Sequence, residues 1–186
     1  MIRLYQTVED RDNPDFIEAN GPIQCKSNAW LGPGYYFWDT FYENAEWWGR
    51  SHYNGKYMIC ATESSREADM FDLVGNTQHL IELRKAAKLL RDKDSRKELF
   101  VGHVLAFLKG EIKSFCYKAV RANGIFSKSY IGLEDQLLYF PKNHSYLELV
   151  PPLQICVYDK SFLTGTFRVI YPPQYSNDYT IWFYWI

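Results

Sequence analysis

The residues best placed to do chemistry lie in one stretch, WLGPGYYFWDTFYENAEWWG, residues 30–49. Gly32-Pro33-Gly34 reads as a tight turn, because Pro33 pre-sets its own φ and Gly34 can take a positive φ. The aromatic run Tyr35-Tyr36-Phe37-Trp38 suits a short strand. Asp39-Thr40 then reads as a helix opening, with Thr40 and Glu43 spaced as a capping box. Turn, strand and helix together form a wall able to cradle a flat ring. Most of these aromatics belong in a core; Tyr36 is the one expected to serve a ligand. Elsewhere, Glu134 and Asp135 are adjacent acids ahead of an apolar run, and Glu148 lies further on. The histidines, His52, His79, His103 and His144, have no mutual spacing of metal ligands. No Ser/His/Asp set or phosphate-binding loop with lysine is present, which argues against a nucleotide hydrolase or a metalloenzyme.

Gly32-Pro33-Gly34-Tyr35-Tyr36-Phe37, followed by Ala45 and the pair Trp47-Trp48, resembles the second motif of the ADP-ribosyltransferase superfamily. The branch resembled includes diphtheria toxin, the poly(ADP-ribose) polymerases and many small bacterial toxins. In that branch the tyrosine at the position of Tyr36 stacks on the nicotinamide of NAD. The first motif, a strand such as Leu-Tyr-His-Gly, is matched by Leu4-Tyr5-Gln6-Thr7. Gln6 stands where a histidine bonds the adenosine ribose, and Thr7 where a glycine approaches the nicotinamide carboxamide. The third motif, a glutamate followed by an apolar strand ending Val-Tyr-Asp, is matched from Gln154 to Asp159, with Gln154 at the glutamate position. The resemblance thus implies a cofactor site made by Tyr5, Gln6, Thr7, Gly34, Tyr36 and Trp47, with NAD as co-substrate.

Transfer from NAD breaks the bond between nicotinamide and C1 of its ribose through a cationic, oxocarbenium-like state. A glutamate at the third position would bind the ribose 2′-hydroxyl and stabilise that cation. Gln154 keeps the hydrogen bond and has no charge. Three outcomes are open: Gln154 suffices, a nearby acid (Glu148, Glu134 or Asp135) supplies the charge, or NAD binds without turnover. The activity implied is mono-ADP-ribosyl transfer by a bacterial toxin or phage-defence effector, with an antitoxin or immunity protein as a partner. The alternative is a catalytically degenerate NAD-binding or protein-interaction module.

Several elements must position these residues. Residues 2–7 alternate in type and read as an opening strand. Residues 14–19 read as a short helix, capped by Asn13, begun by Pro14 and ended by Asn20-Gly21. Strands are expected at 56–62, 70–74, 145–150, 153–159, 166–171 and 179–185. Helices are expected at 78–91, at 95–109 behind a Ser95/Glu98 capping box, and at 112–122. The expected fold is α+β: one domain over 1–186, with two packed, mainly antiparallel sheets around a cleft and the helices grouped together.

Aromatics are 18% of the 186 residues and the formal net charge is -1, so no general field draws the chain to nucleic acid or anionic membrane. The cysteines, Cys25, Cys60, Cys116 and Cys156, are spread apart and read as buried thiols of a reducing cytoplasm. No apolar run has signal-peptide or membrane-span length, so a soluble protein is expected. In many toxins of the superfamily that modify arginine or asparagine, an acid or glutamine two residues before the third-motif position meets the acceptor. Pro152 stands there. Lys85, Lys88, Arg91, Lys109, Lys113, Lys118 and Arg121 read as a basic helical face, which favours nucleic acid over protein as the acceptor.

Overall fold

A computed structural model describes residues 1–25, 29–93, 98–124, 136–140 and 145–176. The opening strand β1 (Ile2–Glu9) is followed by the short helix α1 (Pro14–Asn20), then by β2 (Tyr35–Asp39) and α2 (Tyr42–His52). Strands β3 (Tyr57–Ser64) and β4 (Met70–Asp72) lead to helices α3 (Thr77–Lys93) and α4 (Val101–Glu111). Strands β5 (Ala119–Asn123), β6 (Leu137–Tyr139), β7 (Tyr146–Glu148), β8 (Leu153–Val157) and β9 (Arg168–Tyr171) complete the described elements. The expected strand at 179–185, the start of the helix expected at 95, and Glu134 and Asp135 lie outside the described residues.

The chain is α+β, as expected, but its strands are not two packed sheets. Seven of them form one mixed sheet in the order β4-β5-β8-β2-β1-β3-β9, and β6 and β7 form a separate hairpin. Among the described strands only β4 and β5 run parallel. The join between β1 and β2 is narrow: it consists of Leu4↔Asp39 and Tyr5↔Trp38. On either side the pairing is longer, from Ile2↔Ser64 to Glu9↔Tyr57 between β1 and β3 and from Tyr35↔Val157 to Trp38↔Gln154 between β2 and β8. The sheet is therefore two blocks meeting at a seam.

Paired residues of neighbouring strands share a face, and successive residues alternate. One row across the sheet is Tyr5, Trp38, Gln154 and Ala122; the next is Tyr36, Cys156 and Val120. Helices cover this face in two patches. Ala86 of α3 and Val104, Leu105 and Leu108 of α4 pack on Phe71, Val120 and Cys156, while Ala45 of α2 packs with Tyr5 and Trp38. Leu4, Phe37, Ile155, Val157, Ala119 and Met70 form the opposite face, closed by Phe162.

The helix expected at 112–122 does not form. Ala119–Asn123 is β5, inserted between β4 and β8 and bonded to both. Ala119, Val120 and Ala122 are buried, so their apolar spacing reflects a strand covered on both faces rather than a helical stripe. Here tertiary pairing overrides alanine's helix propensity. The Thr40/Glu43 capping box is likewise absent, and Ser95 of the other lies outside the described residues. Thr40 has φ 63, and its hydroxyl donates to Asp39 Oδ1 at 2.8 Å, so α2 starts later with Phe41 as an uncapped N-cap. Residues 98–100 precede α4 without helical structure, which leaves Glu98 outside it. Asn13 precedes α1 as expected but makes no side-chain cap bond.

Among the cysteines, Cys60 and Cys156 are buried while Cys25 and Cys116 are exposed, and all are free thiols. Burial pushes the Cys60 and Cys156 thiols up to about 12, where little thiolate exists at neutral pH. Burial also raises the Cys25 thiol, though less of it is covered, so native protein treated with iodoacetamide is expected to alkylate first at Cys116, then at Cys25, and to spare Cys60 and Cys156 until it is unfolded. Peptide mapping by mass spectrometry reads the difference. Among the described residues no helix is long and apolar enough to cross a membrane.

Candidate functional site

The loop before β2 is built around Tyr36. Its hydroxyl accepts from the Leu31 N–H at 2.8 Å and donates to the Gly32 carbonyl at 2.8 Å. Tyr158 adds a second tie, donating to the Leu31 carbonyl at 3.0 Å. The left-handed residue of the turn is Gly32, at φ 92, and not Gly34 as the sequence suggested. Gly34 is required for close approach instead: a Cβ there would lie 2.5 Å from Cys156 Sγ and 2.8 Å from the Val157 carbonyl oxygen. Burial raises the Tyr36 phenol far above its ordinary range, with Cys156 adding to the effect, so the group stays neutral. Its hydroxyl serves the loop, and only its ring can serve a ligand.

Tyr36→Phe is consequently not a neutral change. It removes both bonds and leaves two peptide groups without their partner, at a cost of about 1–3 kcal/mol. Chemical denaturation of the variant checks this, and a midpoint equal to wild type would contradict the arrangement.

Gln154 is 7% exposed, and its Oε1 accepts from the indole Nε1–H of Trp30 at 2.8 Å. Gln6 sits at the seam and uses its whole amide there. Its Nε2 donates to the carbonyls of Ile23 at 2.9 Å and Tyr36 at 3.2 Å, while its Oε1 accepts from the Ile23 N–H at 2.7 Å. That commits Gln6 to tying the loop at Ile23 to β2, and leaves its amide no proton for a ribose. Thr7 donates to the Ala45 carbonyl at 2.9 Å and so anchors α2 on β1. Tyr5 is buried and meets Tyr42 edge-on at 5.5 Å. Trp47 is half-buried beside Trp38 and Trp48, at 5.9 Å from each.

Tyr5 and Thr7 of β1, Tyr36 of β2 and Gln154 of β8 thus share one face of the sheet, with Trp47 of α2 beside Trp38, while Gln6, between Tyr5 and Thr7, belongs to the opposite face. Glu148 is not on these strands; it pairs with Leu137 in the separate hairpin. Trp30 is a site residue that sequence reasoning missed. Its bond to Gln154 spans 124 positions, and only the opening place of Trp30 in the aromatic stretch hinted at it.

A second group lines a cavity of about 620 Å³ at one end of the sheet. Asp39, 1% exposed, accepts from Arg121 Nε at 2.6 Å, and Arg121 Nη1 lies 3.5 Å from Asp72 Oδ2. His79 Nδ1 accepts from the Asp72 N–H at 2.9 Å, so the neutral ring carries its proton on Nε2. Asn76 Nδ2 lies 3.2 Å from that nitrogen, but its own carbonyl already accepts from the N–H groups of Gln78 and His79. Asn76 therefore turns N–H groups toward a nitrogen that already carries a proton and makes no hydrogen bond with it, so the acceptor of the ring proton is the Tyr117 oxygen at 3.0 Å. The Tyr117 hydroxyl therefore points its own proton elsewhere.

The expected basic face is reduced by these contacts. Arg121 belongs to Asp39 and Asp72, Lys118 Nζ sits 3.1 Å from Asp69, and Lys109 Nζ lies 3.7 Å above the Tyr158 ring. Lys85, Lys88 and Arg91 are exposed on α3. Comparisons with family models, with curated proteins and with solved structures find no match for this chain.

Proposed function

We propose that this chain is an NAD-dependent ADP-ribosyltransferase whose nicotinamide site is the seam beside β2. One observation carries the reading. Three segments that carry the resemblance, residues 4–7, 32–37 and 154–159, lie on or directly beside β1, β2 and β8, which are consecutive neighbours in the sheet. Tyr5, Trp38 and Gln154 stand in one row, with Tyr36 in the next. In this reading the Tyr36 ring is the stacking face for the nicotinamide, with Trp47 beside Trp38 as a further ring on the same side. A carbonyl oxygen has two lone pairs, so Gln154 Oε1 can hold Trp30 and still accept a ribose hydroxyl. In this reading the exposed cations of α3 give a polynucleotide acceptor a place to lie, and its binding would weaken steeply with salt.

The test is labelled NAD, incubated with the pure protein and a cell lysate whose protein, RNA and DNA are then separated. Label in any of the three, with nicotinamide released, supports the transferase; neither label nor nicotinamide overturns it. A second reading, an NAD-binding module without turnover, is favoured by the two amides at signature positions. Gln6 has no amide proton left to donate, and Gln154 has no charge to set against a cation. Calorimetry separates the readings: NAD binding without nicotinamide release supports the module.

A further inference from the structure

The cavity behind the seam has a composition of its own. Arg121 and Ile155 share a face of the sheet, whereas Ala122 and Gln154 share the other, so Arg121 and Gln154 emerge on opposite faces. We propose that this cavity binds a guanine base, and the proposal does not depend on the NAD reading.

Arg121 presents five N–H donors in a planar fork. Asp39 takes the Nε–H from the buried side and so fixes the plane of the guanidinium. The arginine side chain is 23% exposed, which keeps the outer part of the fork reachable from the cavity. Asp72 is fixed as firmly. Its Oδ1 accepts from the N–H groups of Val74 at 2.9 Å and Gly75 at 3.0 Å, while Oδ2, 3.5 Å from Arg121 Nη1, keeps a lone pair for a further donor. Gly75 keeps that oxygen uncrowded, since a Cβ there would lie 2.6 Å from it. The result is a rigid pairing of N–H donors and a carboxylate acceptor, side by side.

Guanine carries the complement on one edge: an oxo acceptor directly beside two N–H donors, N1–H and N2–H. Adenine and the pyrimidines lack that pair of adjacent donors. His79 and Tyr117 supply ring surface in the same cavity, and unpaired bases are held by such rings together with hydrogen bonds to their edges. The Tyr117 hydroxyl proton, released by the His79 contact, is a further donor. A volume of about 620 Å³ is ample for a base with its sugar at the mouth.

Calorimetry with guanosine, adenosine, cytidine and uridine tests the proposal. Guanosine is expected to bind at least about tenfold tighter than the other three, the discrimination typical of a well-formed edge contact. Asp72→Asn keeps an oxygen for Val74 and Gly75 but puts a donor where the acceptor was. It should weaken guanosine about tenfold with the melting temperature close to wild type. If that variant melts early, Tyr117→Phe replaces it and should weaken guanosine several-fold. Equal binding of all four nucleosides, no binding at millimolar guanosine, or a folded Asp72→Asn protein with undiminished guanosine affinity would each overturn the proposal. Two further probes identify the source of the base. Equal affinity for guanosine, GMP and a guanine-containing single strand assigns a free nucleoside or nucleotide. A strand that binds tighter and loses affinity with salt assigns an unpaired base of a nucleic acid.

Discussion

Arg121→Ala is expected to destabilise the fold by about 3–5 kcal/mol, because it strands a buried carboxylate. Asp39 is 1% exposed and has Arg121 Nε at 2.6 Å as its charged partner. The Thr40 hydroxyl would still donate to it, but one neutral bond does not replace a guanidinium. The position amplifies the damage. Leu4↔Asp39 is half of the β1–β2 join, so a carboxylate that moves toward water pulls at the place where the two blocks of the sheet meet. Partial exposure of Arg121 admits some water and favours the lower end of the range. The double variant Asp39→Asn with Arg121→Ala removes the stranded charge and should recover much of the loss, as coupled partners do. Urea denaturation of both single variants and the double closes the cycle. A loss below about 1 kcal/mol for Arg121→Ala would mean an ordinary surface pair.

The same pair shows what the sequence made legible and what it did not. The strands β1, β2, β3 and β8 announced themselves through dense β-branched and aromatic runs, and the structure places them within a residue or two of expectation. Glycine before Tyr35 announced a turn, though which glycine took the positive φ depended on how closely β8 approaches Gly34. Asp39-Thr40 looked like a helix start because serine-like caps and carboxylates are read by local spacing. Its actual partner, Arg121, is 82 positions away. Arg121 in turn looked like one cation of a helical face, because Ile112, Phe115 and Ala119 fall at helix spacing by accident. Local periodicity carries no information about a strand inserted between two others, and that insertion set the identity of the polar cavity. Gln6 and Gln154 were found by motif alone. Their amide partners, Ile23 and Trp30, come from the segment between α1 and β2, which the sequence left without regular structure.

Gln154→Glu is expected to raise the release of nicotinamide from NAD by about 10²–10³-fold, the magnitude carried by one well-placed electrostatic group in a water-poor site. The substitution changes little besides charge. Both side chains have the same length, and the Trp30 indole N–H that holds the amide oxygen at 2.8 Å would hold a carboxylate oxygen more strongly. The orientation is therefore retained, and in the proposed NAD site a negative charge would face the position where the ribose becomes cationic. An interaction that strengthens only as that charge develops should raise the turnover rate and leave NAD affinity nearly unchanged. Placing a carboxylate at a residue 7% exposed also has a cost, so the variant should melt below wild type at neutral pH. Trp30→Phe in the same background tests the geometry: without the indole N–H the new carboxylate is free to turn, and most of the gain should vanish while NAD still binds. Nicotinamide release followed by chromatography, beside calorimetric NAD affinity for the wild type and both variants, decides among three results. A large gain that depends on Trp30 makes this position the one that faces the reacting ribose. NAD binding with no gain makes the seam a binding site without chemistry at Gln154. A protein that folds and binds no NAD in any of the three forms removes the nicotinamide site from the seam altogether.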